Sequence, residues 1–265
     1  FDTDGSLIRF RVEGDRPGRK NGWAVLFADA HGAAGAFGSW RSGITGTWRN
    51  GRGKINVAER KRLSASIEMA KRARDAERLE RVQDAAQRAA RLWHQAAAPE
   101  PRHAYLIAKH VKAYGIRQLD DKLVIPARDA EGKLQTLEFI YPDGEKRFLA
   151  GGRKRGMYFS IGNVTAEVLI AEGYATGASL HEATGKPVAI AFDAGNLEPV
   201  ARALRAKFPR TRIVIAADND TSTPGNPGRT KATAAARAVG GYVAVPPEPF
   251  GDFNDAAIAE LEIEP

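Results

Sequence analysis

The chain has 265 residues, 43% of them hydrophobic, and sets 40 Lys and Arg against 32 Asp and Glu for a net charge of +8. That length suits two modest domains with ordinary cores, and the basic excess favours a polyanionic partner, nucleic acid first, over a membrane surface. No apolar run approaches the roughly 20 residues of a spanning helix, and the lack of cysteine excludes disulfides and cysteine-based zinc sites.

No signal peptide is visible, and the chain opens on Phe1, so a cytoplasmic piece of a longer protein is expected. Residues 1–55 are rich in Gly and aromatics, with alternating runs at LIRFRV (Leu7 to Val12) and WAVLFAD (Trp23 to Asp29), which predict a small antiparallel sheet. The stretch FGSWRSGITGTWRNGRGK (Phe37 to Lys54) interleaves Phe, Trp and Arg with glycines. It reads equally as a stacking surface for bases or as the turn-rich end of a β core.

Residues 56–98 carry neither Gly nor Pro and form one helical pattern that Asn56 can cap. Leu79, Val82, Ala86, Ala89 and Trp93 mark an apolar stripe at three- and four-residue spacing. Ten basic and six acidic residues lie between Glu59 and Arg91, which reads first as a solvated helix face and second as a nucleic-acid contact. The Ala98-Pro99-Glu100-Pro101 stretch ends the helix. Residues 99–162 hold two strand candidates, KLVIPARD (Lys122 to Asp129) and LQTLEFIY (Leu134 to Tyr141), with a Glu131-Gly132 turn between them. The segment GEKRFLAGGRKRGMYFSIG (Gly144 to Gly162) then packs Lys146, Arg147, Arg153, Lys154 and Arg155 around two adjacent glycines.

From Glu167 the rhythm becomes strand and helix in alternation, which predicts a parallel sheet covered on both faces over residues 163–265. In such sheets ligands bind at the carboxyl ends of the strands. Three strand candidates end in acids: Glu172 after EVLIA, Asp193 after VAIAF, and Asp218 with Asp220 after RIVIA. Acids at turns are commonly helix caps. Four carboxylates on one edge need either raised pKa values or a cation, and hard oxygen donors without His or Cys point to Mg²⁺ or Mn²⁺, not zinc.

The segments LIAEGYATGASL (Leu169 to Leu180), AFDAGN (Ala191 to Asn196) and IAADND (Ile215 to Asp220) resemble the Toprim domain of bacterial primases, topoisomerases, and certain nucleases and recombination proteins. That family's signature is a Glu after one strand and Asp-x-Asp after a later one, matched by Glu172 and by Asp218 and Asp220. The upstream stretch is similar to the part of bacterial replicative primases that guides template, with Arg128, Lys146, Arg147, Lys154 and Tyr158 at comparable positions. The likeness is nearest to primases of conjugative plasmids and phages, where EGYATGASLHEATG, AFDAGNL and a late DFND (Asp252 to Asp255) recur. Two departures stand out: TSTPGNPG (Thr221 to Gly228) lengthens the loop after the Asp pair, and the zinc module such primases carry upstream has no counterpart.

The resemblance implies an α/β Toprim-type parallel sheet with flanking helices, preceded by an α+β primase subdomain and a small β-rich N-terminal region. It implies a Mg²⁺-dependent nucleotidyltransferase that makes RNA primers from ribonucleoside triphosphates on single-stranded DNA, with a replicative helicase or fused helicase domain as partner. Asp218 and Asp220 would bind metal, Glu172 would be acid, base or bridging ligand, and Asp193 would assist. Arg128, Lys146, Arg147, Arg153, Lys154 and Arg155 would follow the template; Gly173, Asn196, Gly228 and Lys231 would face the nucleotide. A topoisomerase would need a Tyr nucleophile in another domain, a nuclease commonly brings an ATPase whose Walker A pattern is missing, and a non-catalytic DNA-binding module leaves the acids unexplained.

Overall fold

The computed structural model describes residues 4–15, 17–18, 20–29, 32–50 and 57–263. The chain divides into two compact units, Phe1–Glu80 and Arg81–Pro265.

In the first unit, β1 (Asp4–Phe10), β2 (Gly22–Asp29), β3 (Gly32–Ser39) and β4 (Thr45–Asn50) form an antiparallel sheet in sequential order. Alternation along β2 puts Trp23 and Val25 on one face, where they meet Ala36, Leu7, Phe27 and Trp40 in a small core. Trp23 and Trp40 stack at 6.2 Å, and the Arg9 guanidinium lies 5.2 Å above Trp40. Phe37, Ile44 and Trp48 stay exposed, so the segment from Phe37 supplies both a sheet edge and bare aromatic surface.

A long helix, α1 (Val57–Gln95), begins in the first unit and continues into the second. The expected cap, Asn56, lies outside the described residues. Within the second unit the helix buries Ala85 and Ala89, and Ala96 just past its end, with Leu92 and Trp93 packed beside Val124 and Leu137. Leu79, read as part of the apolar stripe, is 58% exposed. The stripe that packs is set by small side chains, which let a helix approach a sheet closely.

After α2 (Ala104–Ala108), the strands β5 (Arg117–Leu119), β6 (Lys122–Arg128), β7 (Leu134–Ile140) and β8 (Lys146–Phe148) build a four-stranded antiparallel sheet in that order. The β6–β7 hairpin forms as expected, its loop turned by Gly132 at φ +85°. One face of this sheet carries Val124 and Leu137 onto α1. The other carries Leu123, Ile125, Ala127 and Ile140 onto the start of the helix that follows the next sheet's central strand.

That next sheet is five-stranded. It contains β9 (Phe159–Ile161), β10 (Glu167–Ala171), β11 (Val188–Ile190), β12 (Arg212–Ala216) and β13 (Tyr242–Ala244) in the order β13-β12-β10-β11-β9. Strands β10 to β13 run parallel, as the alternating rhythm predicts. The edge strand β9 is antiparallel to β11 and makes the sheet mixed, because a strand too short to show periodicity enters from the preceding segment. The helices α4 (Leu197–Lys207) and α5 (Pro227–Val239) cover one face through Leu197, Val200, Leu204, Ala232 and Ala235. The helices α3 (Tyr174–Thr184) and α6 (Phe253–Ile263) supply Leu180 and Phe253 to the other.

Candidate active site

Apolar strands buried on both faces end where the sheet meets water, and there the sequence changes to acids. Strand β10 lies between β11 and β12; the chain leaves β10 toward β11 but leaves β12 toward β13. The strand order therefore reverses between β10 and β12, the crevice where open sheets of this kind take ligands. Glu172 follows β10 and Asp218 lies two residues past β12, so the two carboxylates flank that crevice.

The site is short of positive charge. Burial raises the Asp218 pKa to about 7, with Glu172, Asp252 and Asp220 adding repulsion and Lys146 opposing it. Glu172 is raised too, by burial above all and then by Asp193 and Asp220, against a hydrogen bond from the Ala194 backbone and the charge of Lys146. Ionising Asp218 here costs on the order of 4 kcal/mol more than in water, since each pKa unit is worth about 1.4 kcal/mol. The Asp218 Oδ1 atom is also buried without a hydrogen-bond partner. An orphaned carboxylate oxygen beside further acids is the donor set that a hard divalent cation satisfies. Among the described residues no group of three or more His, Asp or Glu side chains is gathered tightly enough to enclose an ion alone. The fit is therefore to an open divalent-cation site, in which one or two carboxylates are completed by waters and phosphate oxygens.

The loop after β12 is organised by a residue that the sequence reading passed over. Asn226 sits in the left-handed region at φ +41°, and its Oδ1 accepts from the Asp220 and Arg229 backbone amides at 3.1 and 3.3 Å. Its amide donates to Asn219 Oδ1 at 2.8 Å. Asn226 thus caps α5 and folds the long Thr221–Gly228 loop back onto the acid pair. Gly228 gives its amide to Asp220 Oδ2 at 3.1 Å, so this glycine serves the carboxylate directly. Lys231 lies exposed on α5.

Asp193 is held in an ion pair by Lys154, whose ammonium also lies 4.5 Å above the Phe148 ring. The residue before it, Phe192, holds a left-handed backbone at φ +73° and meets Phe148 edge-on at 5.2 Å. A bulky residue in that region stores strain, a feature that concentrates at functional sites. Asn196 is 3% exposed, and its side chain bonds the backbones of Gly156, Lys154, Met157 and Ala191. Its amide ties the basic loop to the sheet and is spent there. Gly173 is the N-cap residue preceding α3, and a Cβ on it would stand 3.3 Å from the Lys146 ammonium.

The basic residues separate in the fold. Lys146 reaches toward the acids, whereas Arg147 makes a bidentate pair with Glu145 at 2.8 Å and lies over Tyr141. Arg128 turns toward Gly132 and Trp93. Arg153 and Arg155 are exposed, while Tyr158 is buried in the core beneath α4 and α5. His103 caps α2 and His181 bonds Lys186, so both do structural work.

Two acids were not legible as site residues. Asp252 comes near Asp218 only because the α6 cap returns to the sheet edge, its Oδ1 holding the Asn254 and Asp255 amides at 2.7 and 2.9 Å. Glu138, on the β7 face that looks toward α3, is 3% exposed with a pKa raised to about 7 by burial, opposed by Lys146 and Lys154. Its signal in the sequence was a charge inside the apolar run LQTLEFI, which alternation alone would have called an outward position.

Residues 167–262 match the Toprim domain family, and this part of the chain is a Toprim domain. Beyond the domain, the chain is similar to two curated proteins, each a DNA primase TraC from Escherichia coli. One is 40% identical over 261 residues and the other 39% over 256, each covering 92% of this chain. The aligned part is 24% and 18% of those proteins, so the chain spans about a quarter or less of the relatives it matches. The resemblance to Toprim-domain DNA primases is thereby borne out. The primase fragment of the bacteriophage T7 primase-helicase protein overlaps 63% of this chain and 76% of its own, with 17% identity and a TM-score of 0.46, too loose a likeness to carry detail. No helix among the described residues is long and apolar enough to cross a membrane.

Proposed function

We propose that the chain is the catalytic core of a DNA primase, making short RNA primers from ribonucleoside triphosphates on single-stranded DNA in the cytoplasm, with a helicase as partner. The observation that carries this reading is the orphaned, buried Asp218 oxygen at the crevice between β10 and β12, on an edge shared with Glu172 and Asp220. On this reading Asp218 and Asp220 hold a divalent cation, Mg²⁺ or Mn²⁺. Bound there, it would supply Lewis acidity and neutralise triphosphate charge. Glu172, its proton affinity raised by burial, accepts the proton of the primer 3′-hydroxyl at its carboxylate. Lys146, facing both acids, meets the incoming phosphates, and Gly173 leaves room for it. Asp193 acts through Lys154, fixing the basic loop beside the edge. The segment 99–162 presents template to the domain 163–265 along Lys146, Arg147, Arg153, Lys154 and Arg155, through salt-dependent phosphate contacts.

The test is primer synthesis by this chain with single-stranded template, labelled ribonucleotides and Mg²⁺ or Mn²⁺. Short template-dependent RNA products are expected. Template cleavage without synthesis would mean a Toprim nuclease; binding with neither would mean a non-catalytic module.

A further inference from the structure

The second unit carries a cleft that the acid edge does not use. It has a volume of about 470 Å³ and runs between α1 and the loop after β8, with Arg81, Arg88 and Arg91 on the helix side. Asp84 and Gln87 complete that wall, and the backbone of Ala150 and Gly151 forms the other. The three arginines are separated by seven and three residues, so they share one helix face. Against one Asp they leave the cleft with a net charge of about +2.

Three features separate this cleft from a solvated helix face. The helix is held in place beside the cleft, because Ala85 and Ala89, which border the arginine row, are fully buried. The loop comes close: Gly151 has φ +85°, and a Cβ on it would stand 3.7 Å from Ala85 Cβ, the Arg81 carbonyl oxygen and an Arg88 guanidinium nitrogen. A side chain there would fill the space that glycine leaves open. Arg88 is also pre-set, one guanidinium nitrogen donating to the Ala150 carbonyl at 2.7 Å while the fork's remaining N–H groups stay available. A planar fork held by one bond loses little entropy on binding a tetrahedral oxyanion. The walls offer no aromatic face, so they suit phosphates and not bases. The exposed Arg153 and Arg155 follow Gly151 in the same loop and continue the positive surface.

We infer that this cleft is a second phosphate-binding site, holding the sugar–phosphate backbone of single-stranded DNA away from the acid edge. This rests on the reading of the chain as a template-using enzyme. The site anchors the strand without reading its sequence, since phosphate contacts position and base contacts specify.

The experiment is binding of a fluorescein-labelled oligo-dT strand to the chain across a salt series, without nucleotide or metal. Failure of primer synthesis and failure of this site are therefore read separately. Replacing Arg88 and Arg91 together by Gln should weaken binding several-fold at low salt and make the slope of log affinity against log salt shallower by about 1.4, at roughly 0.7 per phosphate contact on single strands. The single variant Arg91→Gln, on an exposed side chain, should give about half that change and covers the case in which the double variant fails to fold. Parental affinity and slope in both variants would overturn the inference. So would weaker binding with an unchanged slope, which marks a structural effect.

Discussion

The amide nitrogen of Gly228 donates to Oδ2 of Asp220 at 3.1 Å, and a Cβ at this glycine would stand 2.6 Å from the Asp218 carbonyl oxygen. One residue on α5 thus touches both members of the acid pair. Ala normally favours a helix over Gly by about 1 kcal/mol. Here the backbone oxygen cannot yield, so Gly228→Ala should lower stability by about 1–3 kcal/mol and depress primer synthesis. A variant that melts at or above the parent temperature would show that the loop gives way.

Removing charge at the crevice should separate stability from activity. Asp218→Asn leaves volume unchanged and relieves both the burial of a charge and its repulsion by Glu172, Asp252 and Asp220. In the absence of divalent cations at pH 8 its melting temperature should rise, by about 2–4 °C for each kcal/mol recovered, while metal-dependent synthesis is lost. Asp220→Asn should lose synthesis as well. Near-normal synthesis by either variant, with unchanged Mg²⁺ dependence, would remove the pair from the metal site.

Glu172→Gln tests direct chemistry. The change alters charge and proton transfer with little change of volume, so turnover should fall far more than apparent nucleotide affinity, by 10²-fold or more. Steady-state kinetics with a saturating template decides it. An effect confined to KM would leave Glu172 a binding role only.

Glu138 predicts a pH dependence of stability. Its pKa rises from 4.5 to about 7 on folding, because burial disfavours the carboxylate. The folded state then keeps a proton that the unfolded state loses, so this contribution is complete below pH 4.5 and declines as pH rises to about 7. Glu138→Gln stays neutral throughout. The stability of the variant relative to the parent should grow by about 3 kcal/mol between pH 4.5 and pH 8, measured by denaturant unfolding at each pH. A difference that does not change with pH would mean that Glu138 is ionised in both states.

Much of the second unit could be read in the chain. Strands buried on both faces are continuous apolar runs, and helices between them repeat at 3.6 residues, so EVLIA, VAI and RIVIA and their following helices stand out locally. Glu172, Asp218 and Asp220 were legible because strand ends are places where the sequence itself turns from apolar to acidic. What the sequence alone determined is therefore the doubly covered sheet and the acids at its edge, both products of short-range pattern. Only the tertiary structure decided which charges meet. Lys146 and Lys154 lie eight residues apart, yet one faces Glu172 and Asp218 while the other pairs with Asp193. Asp252 and Glu138 come to the site from α6 and β7, and Asn226 folds a loop whose length hid its purpose. Electrostatic partners are set by distance through space, and that distance depends on how two sheets and three helices pack, which no local window of residues encodes.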